Sequence, residues 1–366
     1  MTADALIRSP LHDRHTAAGA KFAEFGGWTM PLQFGGIVEE HTAVRERVGI
    51  FDVSHLGKAL VRGDGARAFV NRCLTNDLDK IRPGKAQYTM CCDDPTGGVV
   101  DDLIAYVRSD DELLLVPNAA NSAEVVRRLA AAAPDGVDVE NAHREYAVFA
   151  IQGPASDEIV AAMGLPTLEE YMSFADVEWR GTRVTVCRSG YTGERGYELV
   201  VPSDAAGPLW DAALSAGEPH GIARAGLGAR DTLRTEMGYP LHGQDLTMEI
   251  TPVQGRAAWA VGWNKPEFWG RDVLIAERES GPARRLRGIV ATGRGIPRPG
   301  MDVQVDGATV GSITSGTFSP TLKRGIGLAL LPPDVADGAS VTVDVRGRAE
   351  PFEVVKPPFV EPSTKA

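Results

Sequence analysis

The chain has 366 residues, 43% of them hydrophobic and 24% charged, and carries a net charge of −11. This length is long for one core and predicts two or three domains of ordinary globular composition. The negative balance excludes a broad nucleic-acid footprint, which needs a basic face, and no apolar run approaches the ~18 residues of a membrane-spanning helix.

Met1 to Pro10 lacks the basic-then-apolar build of a signal peptide, so the expected compartment is the cytoplasm. Cys73, Cys91, Cys92 and Cys187 show no metal-ligand spacing; Cys91 and Cys92, neighbours in a strand-like run, are expected to alternate faces as buried, reduced thiols. His12 and His15 are close in sequence, but no acidic or thiol partner completes a site, and no metal centre is expected.

In chain order, the first compact unit predicted runs from Gly57 to Gly136. Lys58 to Arg62 alternates, and Asp64 is placed to cap a short helix carrying Phe69, Val70, Cys73 and Leu74. Strand runs follow over 86–92, 99–107 and 112–116, with Asp93 to Gly98 and Ser109 to Asp111 as turns. Asn121 with Glu124 reads as a capping box for a helix to about Ala133. The next stretch repeats this grammar. A strand over 146–152 is stopped by Gly153-Pro154, and Ser156 is placed to cap a helix to Met163. A hairpin turns at Trp179 to Arg183 into a strand over 182–187, and another strand covers 197–201. Ser203 or Asp204 begins a helix through Trp210 and Leu214, and a further helix, about 228–237, carries Arg230 and Arg234 one turn apart. Because hairpins dominate, the class is α+β rather than a doubly wound parallel sheet. After about Glu279 six short alternating runs (287–291, 302–305, 309–314, 325–329, 340–345 and 351–355) lie between Gly, Pro and Asp turns. They predict a small C-terminal β-barrel or sandwich, with the boundary near Ser280-Gly281-Pro282.

No Walker loop, G-x-G-x-x-G fingerprint or G-x-S-x-G elbow is present. Three Gly-rich polar loops are: Arg188 to Glu198, Gly226 to Asp231 and Thr314 to Leu322. Glycines bring backbone close to a ligand, and tyrosines offer flat faces with polar tips. Asp101 and Asp102 interrupt an apolar strand run. An ionised carboxylate out of water costs several kcal/mol unless it is paired. Neighbouring strand side chains face opposite ways, so one aspartate is expected to face a pocket while the other caps or faces outward; the plainer reading is that the pair ends a hairpin turn. Taken together, these features suggest a flat, polar heterocycle in a deep pocket.

Phe51 to Gly57, Gly97 to Asp102, Asn118 to Asn121, Gly190 to Glu194, Gly226 to Asp231 and Thr314 to Leu322 occur in an order and wording that resembles the aminomethyltransferase (T-protein) family of the glycine cleavage system. The resemblance covers about 10–359. It implies a folate-binding cloverleaf of α+β lobes followed by a small C-terminal β-barrel. It divides the chain into a folate-binding part, 1–279, with two interleaved lobes (one about 57–136), and a barrel, 280–366. It also implies transfer of the methylene carbon of an aminomethyl group, carried on the dihydrolipoyl arm of H-protein, to tetrahydrofolate. The products would be 5,10-methylenetetrahydrofolate, ammonia and dihydrolipoyl H-protein.

By the same resemblance, Asp102 matches an essential aspartate and Glu198 a carboxylate gripping the pterin. Arg230 matches a folate-contacting arginine, and Leu56, Tyr88, Asn118 and Tyr191 match other pocket positions. His55 lies beside these and reads equally well as a core histidine. Many family members carry Pro-Val/Phe-Glu-Ala-Gly-Leu where this chain has Pro252-Val253-Gln254-Gly255-Arg256-Ala257. Arg256, at the glycine position, is expected to meet the folate's anionic tail or the partner protein. A tyrosine that follows Pro-Phe-Val in some relatives is missing after Val360. Arg256, Arg284, Arg285 and Arg287 form the expected basic patch for an acidic H-protein. Two rivals share the module. Folate-dependent demethylases pair it with a flavin domain, for which no fingerprint exists here; an iron–sulfur assembly accessory protein carries a Lys-Gly-Cys motif, also lacking.

Overall fold

A computed structural model describes residues 6–364. Its strands form a three-stranded sheet, a five-stranded sheet, a six-stranded sheet and a closed six-stranded barrel. The five-stranded sheet is built from Ala59–Arg62, Lys85–Cys92, Val99–Val107, Glu112–Val116 and Asp138–Asn141. The six-stranded sheet takes Tyr146–Gln152, Phe174–Trp179, Thr182–Cys187, Gly196–Pro202 and Ala223–Ala225, together with Gly49–Asp52. That last strand precedes the whole of the five-stranded sheet in sequence yet lies between Tyr146–Gln152 and Ala223–Ala225. The whole five-stranded sheet is thus inserted in sequence between the first two strands of the six-stranded one, and the fold class is the α+β arrangement with a C-terminal barrel that the sequence predicts.

Hydrophobic alternation explains how the lobes stack. One face of the five-stranded sheet buries Ala105, Val107, Leu113 and Leu115 against Phe69 and Val70 of the Ala66–Cys73 helix and Val125 and Leu129 of the Ser122–Ala132 helix. Its other face carries Leu60, Tyr106 and Leu114, which pack with Phe51, Val148, Ala150 and Val200 of the six-stranded sheet. Each such side chain removed from water contributes about 1.5–3 kcal/mol. The shared core therefore fixes the two sheets face to face, and Ala229 and Leu233 of the Leu227–Met237 helix join it.

The barrel strands are Arg285–Ala291, Asp302–Val305, Ala308–Ser319, Arg324–Leu331, Ser340–Asp344 and Ala349–Val355. They close around Ile289, Val303, Val343, Phe352 and Val354. Each of the six predicted runs becomes a strand. The helices Arg271–Ser280, Ile37–Glu46 and Ala206–Gly217 and the sheet of Ile7–Arg8, Lys21–Phe25 and Trp28–Gln33 are among the further elements. No helix of the described residues is long and apolar enough to cross a membrane.

Three predicted helix caps do not form. The Ala66–Cys73 helix starts from Gly65 at φ +75°, so Asp64 is not its cap. The Ser156–Ala162 helix is preceded by Ala155, and the Ser156 hydroxyl is buried with no hydrogen-bond partner. Asn121 has helical backbone angles, φ −105° and ψ −7°, rather than the extended ones a side-chain cap needs. Its amide turns to Asp101 and His242, while Glu124 binds Arg127 and Arg128.

The barrel is locked to the lobes by a buried carboxylate. Glu236 accepts from Ser319 and from the Thr321 amide and hydroxyl on the barrel side, and from Arg45 at 2.8 Å; His41 lies 3.3 Å away. Its own carbonyl accepts from Phe359 N at 2.8 Å, tying down the C-terminal segment. Burial alone pushes this carboxyl up, but the bond and charge of His41, the Ser319 hydroxyl and Arg45 outweigh it and hold it at about 2. A depressed folded-state value adds stability above the unfolded value of about 4.5 that is lost as pH falls towards 2. Glu236→Gln is therefore expected to cost up to about 3 kcal/mol near neutrality. The gap from the parent protein should close between pH 5 and pH 2 in denaturant titrations; a gap that does not change with pH refutes the assignment.

Candidate functional site

A cavity of about 1260 Å³ opens where the two lobes, the Leu227–Met237 helix, the 239–259 connection and the barrel meet. Asp102, Ile104 and Tyr106 reach it from alternate positions of Val99–Val107. On the neighbouring strand Ala86 and Tyr88 pair with Tyr106 and Ile104 and face the same space. A bulge inserts Val100 between the pairs Cys91–Asp101 and Cys92–Val99, directly before the two aspartates.

Asp102 is held from two sides. Its Oδ2 accepts from the Tyr88 hydroxyl at 2.9 Å, and its Oδ1 from Asn118 Nδ2 at 3.0 Å. Burial pushes its carboxyl above the ordinary range, against the opposing effects of His242 and these two donors. Asp101 does not face outward, nor does the pair end a turn. It is fully buried on the opposite side, accepting from Asn118 N, Asn118 Nδ2 and Asn121 Nδ2 at 2.8–3.0 Å. The bulge keeps Val99, Val100 and Asp101 all inside, so simple alternation fails there. Burial and the neighbouring Asp102 charge raise Asp101 far above a normal carboxyl. Asn118 is the shared clamp, contacting both aspartates.

Across the cavity, Glu198 on Gly196–Pro202 accepts from the Ser189 hydroxyl at 2.6 Å. The Arg230 guanidinium lies 4.7 Å from the Tyr191 ring centroid, a cation–π contact, and its buried Nη1 has no hydrogen-bond partner. Burial lowers the pKa of Arg230, and Glu198 acts in the opposite direction. Tyr191 donates to the Pro240 carbonyl and stacks on Tyr239, with centroids 5.7 Å apart. Leu56 lines the same space, on a turn whose Ser54 and Leu56 carbonyls accept from the buried Lys58 Nζ at 2.9 and 2.8 Å. Leu56, Tyr88, Asp102, Asn118, Tyr191, Glu198 and Arg230, separated by up to 174 positions, thus line one cavity.

Other lining residues were less visible in sequence. His242, from an unremarkable Leu-His-Gly stretch, reaches Asn121 at 2.9 Å and the Val99 carbonyl at 2.9 Å. Trp259 stacks on Tyr88 at 5.3 Å and remains 71% exposed. His55 also borders the cavity; burial first, then Arg230, lowers it to about 3, so it is a neutral imidazole. Of the three Gly-rich loops, the third contributes Thr317, Phe318 and Pro320, while Thr314 and Ser315 bind Asp245. Gln254 is engaged away from the cavity, donating to Glu277 at 2.7 Å and accepting from Arg284 at 2.9 Å. The four cysteines are buried free thiols, and no group of metal-ligating side chains occurs among the described residues.

The GCVT N-terminal domain family matches residues 11–265, and the glycine cleavage T-protein C-terminal barrel domain matches residues 284–361. The chain belongs to the glycine cleavage T-protein family. It is 64% identical over 362 residues to an aminomethyltransferase of Frankia alni, covering 98% of this chain and 99% of that one. Identity to an aminomethyltransferase of Mycobacterium bovis is 59% over 362 residues, covering 98% of each. The crystal structure of glycine cleavage system aminomethyltransferase T from Bartonella henselae superposes with a TM-score of 0.92 at 31% identity, covering 98% of this chain and 99% of that one. The chain is accordingly an enzyme with aminomethyltransferase activity.

In this T-protein cavity the Tyr88 hydroxyl favours the ionised form of Asp102. Tyr88→Phe removes that donor, so the Asp102 carboxyl is expected to titrate at still higher pH, read from its carboxyl carbon by isotope-edited NMR. An unchanged or lower titration point counts against the hydrogen bond.

Proposed function

We propose that the cavity binds tetrahydrofolate and admits the aminomethyl-lipoyl arm of H-protein, transferring the methylene carbon between them. The overall change is balanced. The carbon leaves one sulfur and one amino nitrogen for two folate nitrogens. The two protons released there go to the departing sulfur and nitrogen, giving dihydrolipoyl H-protein, ammonia and 5,10-methylenetetrahydrofolate. The observation that carries the reading is the pair of carboxylates, Asp102 and Glu198, on opposite lobes of one cavity. Arg230, with its unpartnered Nη1, supplies an unused donor in the same space.

Glu198 suits the amino and ring N–H groups of a pterin, a charge-assisted contact contributing about 1.5–3 kcal/mol. Tyr191, Leu56 and Tyr88 offer flat or apolar surface for the ring system. Asp102, fixed by Tyr88 and Asn118, orients the reacting nitrogens and stabilises positive charge that develops as ammonia leaves. Its preset geometry needs no rearrangement at the reacting moment. Docking of H-protein falls to the basic residues near the barrel junction; Arg285 is exposed there, and Arg284 is exposed while bonding Gln254 and the Glu249 carbonyl.

Two variants separate these roles. Asp102→Ala is expected to keep the fold and most of the folate affinity but to lose about 10²–10³-fold in transfer rate. The assay is ammonia release requiring both tetrahydrofolate and aminomethylated H-protein, and near-normal turnover would remove Asp102 from the reaction. Glu198→Gln should instead weaken tetrahydrofolate binding by about tenfold or more in calorimetry. Unchanged affinity would mean that the pterin is held elsewhere.

A further inference from the structure

Four arginines line the cavity: Arg230, Arg234, Arg256 and Arg298. Arg234 is taken up by Asp231 and Asp245, and Arg230 lies over Tyr191. Arg298 donates to the Gly316 carbonyl at 3.2 Å. Arg256, on the connection that carries Trp259, is exposed like Arg298, and among the described residues its guanidinium makes one long hydrogen bond, from Nη2 to the Pro357 carbonyl at 3.4 Å. Asp337, whose charge acts on it, is already paired with Arg287 at 3.0 Å. Its backbone sits at φ +60°, a region that side-chain-bearing residues avoid and glycine tolerates. An arginine kept in such a conformation, without a carboxylate partner and facing a cavity, marks a place where the side chain has work to do.

The position of Arg256 relative to the deep groups narrows that work. Arg230 contacts Tyr191, Tyr191 stacks on Tyr239, and Gly238, next to Tyr239, lies against Pro357 and the Arg256 guanidinium. A run of contacts through two stacked tyrosines thus leads from Arg230 towards Arg256, and both arginines line the cavity that Glu198 also lines. A reduced folate has matching polarity. Its pterin carries N–H donors at one end, an aminobenzoyl ring lies in the middle, and the glutamyl carboxylates lie at the other end. We infer that Arg256 is a specificity-determining residue that recognises the glutamyl carboxylates of the folate at the cavity rim, a role resting on the function proposed above. A guanidinium suits this task because its planar fork meets a carboxylate through two parallel bonds.

The test compares tetrahydrofolate with tetrahydropteroate, which lacks the glutamyl group, by calorimetry on the full-length protein and on Arg256→Gly and Arg256→Lys. Glycine relieves the φ constraint, so that variant should fold with unchanged or higher thermal stability. It is expected to bind tetrahydrofolate about fivefold more weakly, as fits a solvated ion pair, while its affinity for tetrahydropteroate stays at the parent value. Arg256→Lys should recover part of the loss, and added salt should weaken parent binding more than variant binding. Equal losses for both ligands would overturn the inference. So would an unchanged tetrahydrofolate affinity with a raised Michaelis constant for H-protein, which would assign Arg256 to the partner. Failure of the parent protein to bind either pteridine would instead sink the folate reading itself.

Discussion

Two adjacent carboxylates on one buried strand are the constraint from which the site follows. Side by side in a low-dielectric interior they repel, and each carries a desolvation cost of several kcal/mol. The fold answers with asymmetry. Asp101 turns away from the cavity into three amide donors from Asn118 and Asn121, whereas Asp102 faces the cavity with two donors and room for a ligand. Asn118 touches both, so the segment after Glu112–Val116 cannot shift without releasing both charges. Asp101 thereby acts as a positioning residue: it fixes the amide that fixes Asp102.

The interleaving of the lobes has the same consequence at larger scale. Because Gly49–Asp52 belongs to the six-stranded sheet while the whole five-stranded sheet follows it before Tyr146, the six-stranded sheet cannot be completed until the chain has passed through the other lobe. Their facing sides share one core. Asp102 and Glu198 come from different sheets, so their separation is set by that packing rather than by any local turn. Interior packing at crystal-like density transmits such constraints with little slack.

Periodicity and turn chemistry carried much of this architecture in the sequence. The Val99–Val107 strand, the Glu112–Val116 strand and all six barrel strands were legible because alternation and Gly, Pro or Asp turns bound them on both sides. The seven residues assigned to the cavity came from the family resemblance rather than from spacing; nothing local in the chain says that Leu56 and Arg230 are neighbours. Asn121, Ser156 and Asp64 are good cap residues by type, but none caps its helix: Asn121 is drawn to Asp101 and His242, Gly65 takes the start of the helix after Asp64, and Ser156 lies inside its own helix with its hydroxyl unpartnered. The orientation of Asp101 was hidden because a one-residue bulge cancels the period on which the argument rested. His242 had no signal at all beyond its type.

The barrel is not a passive appendage to this arrangement. Its Thr317 and Phe318 form part of the cavity wall, and Thr314, Ser315 and Ser319 on the same strand bind Asp245 and Glu236. Asp245 also pairs with Arg234, one helical turn beyond Arg230. The strand that closes the cavity is thus tied by hydroxyl–carboxylate bonds to the helix that aims Arg230 inward. Such bonds are short-range and directional. A barrel displaced by an ångström would lose them together, which makes the cavity geometry a property of the docked barrel as much as of the lobes.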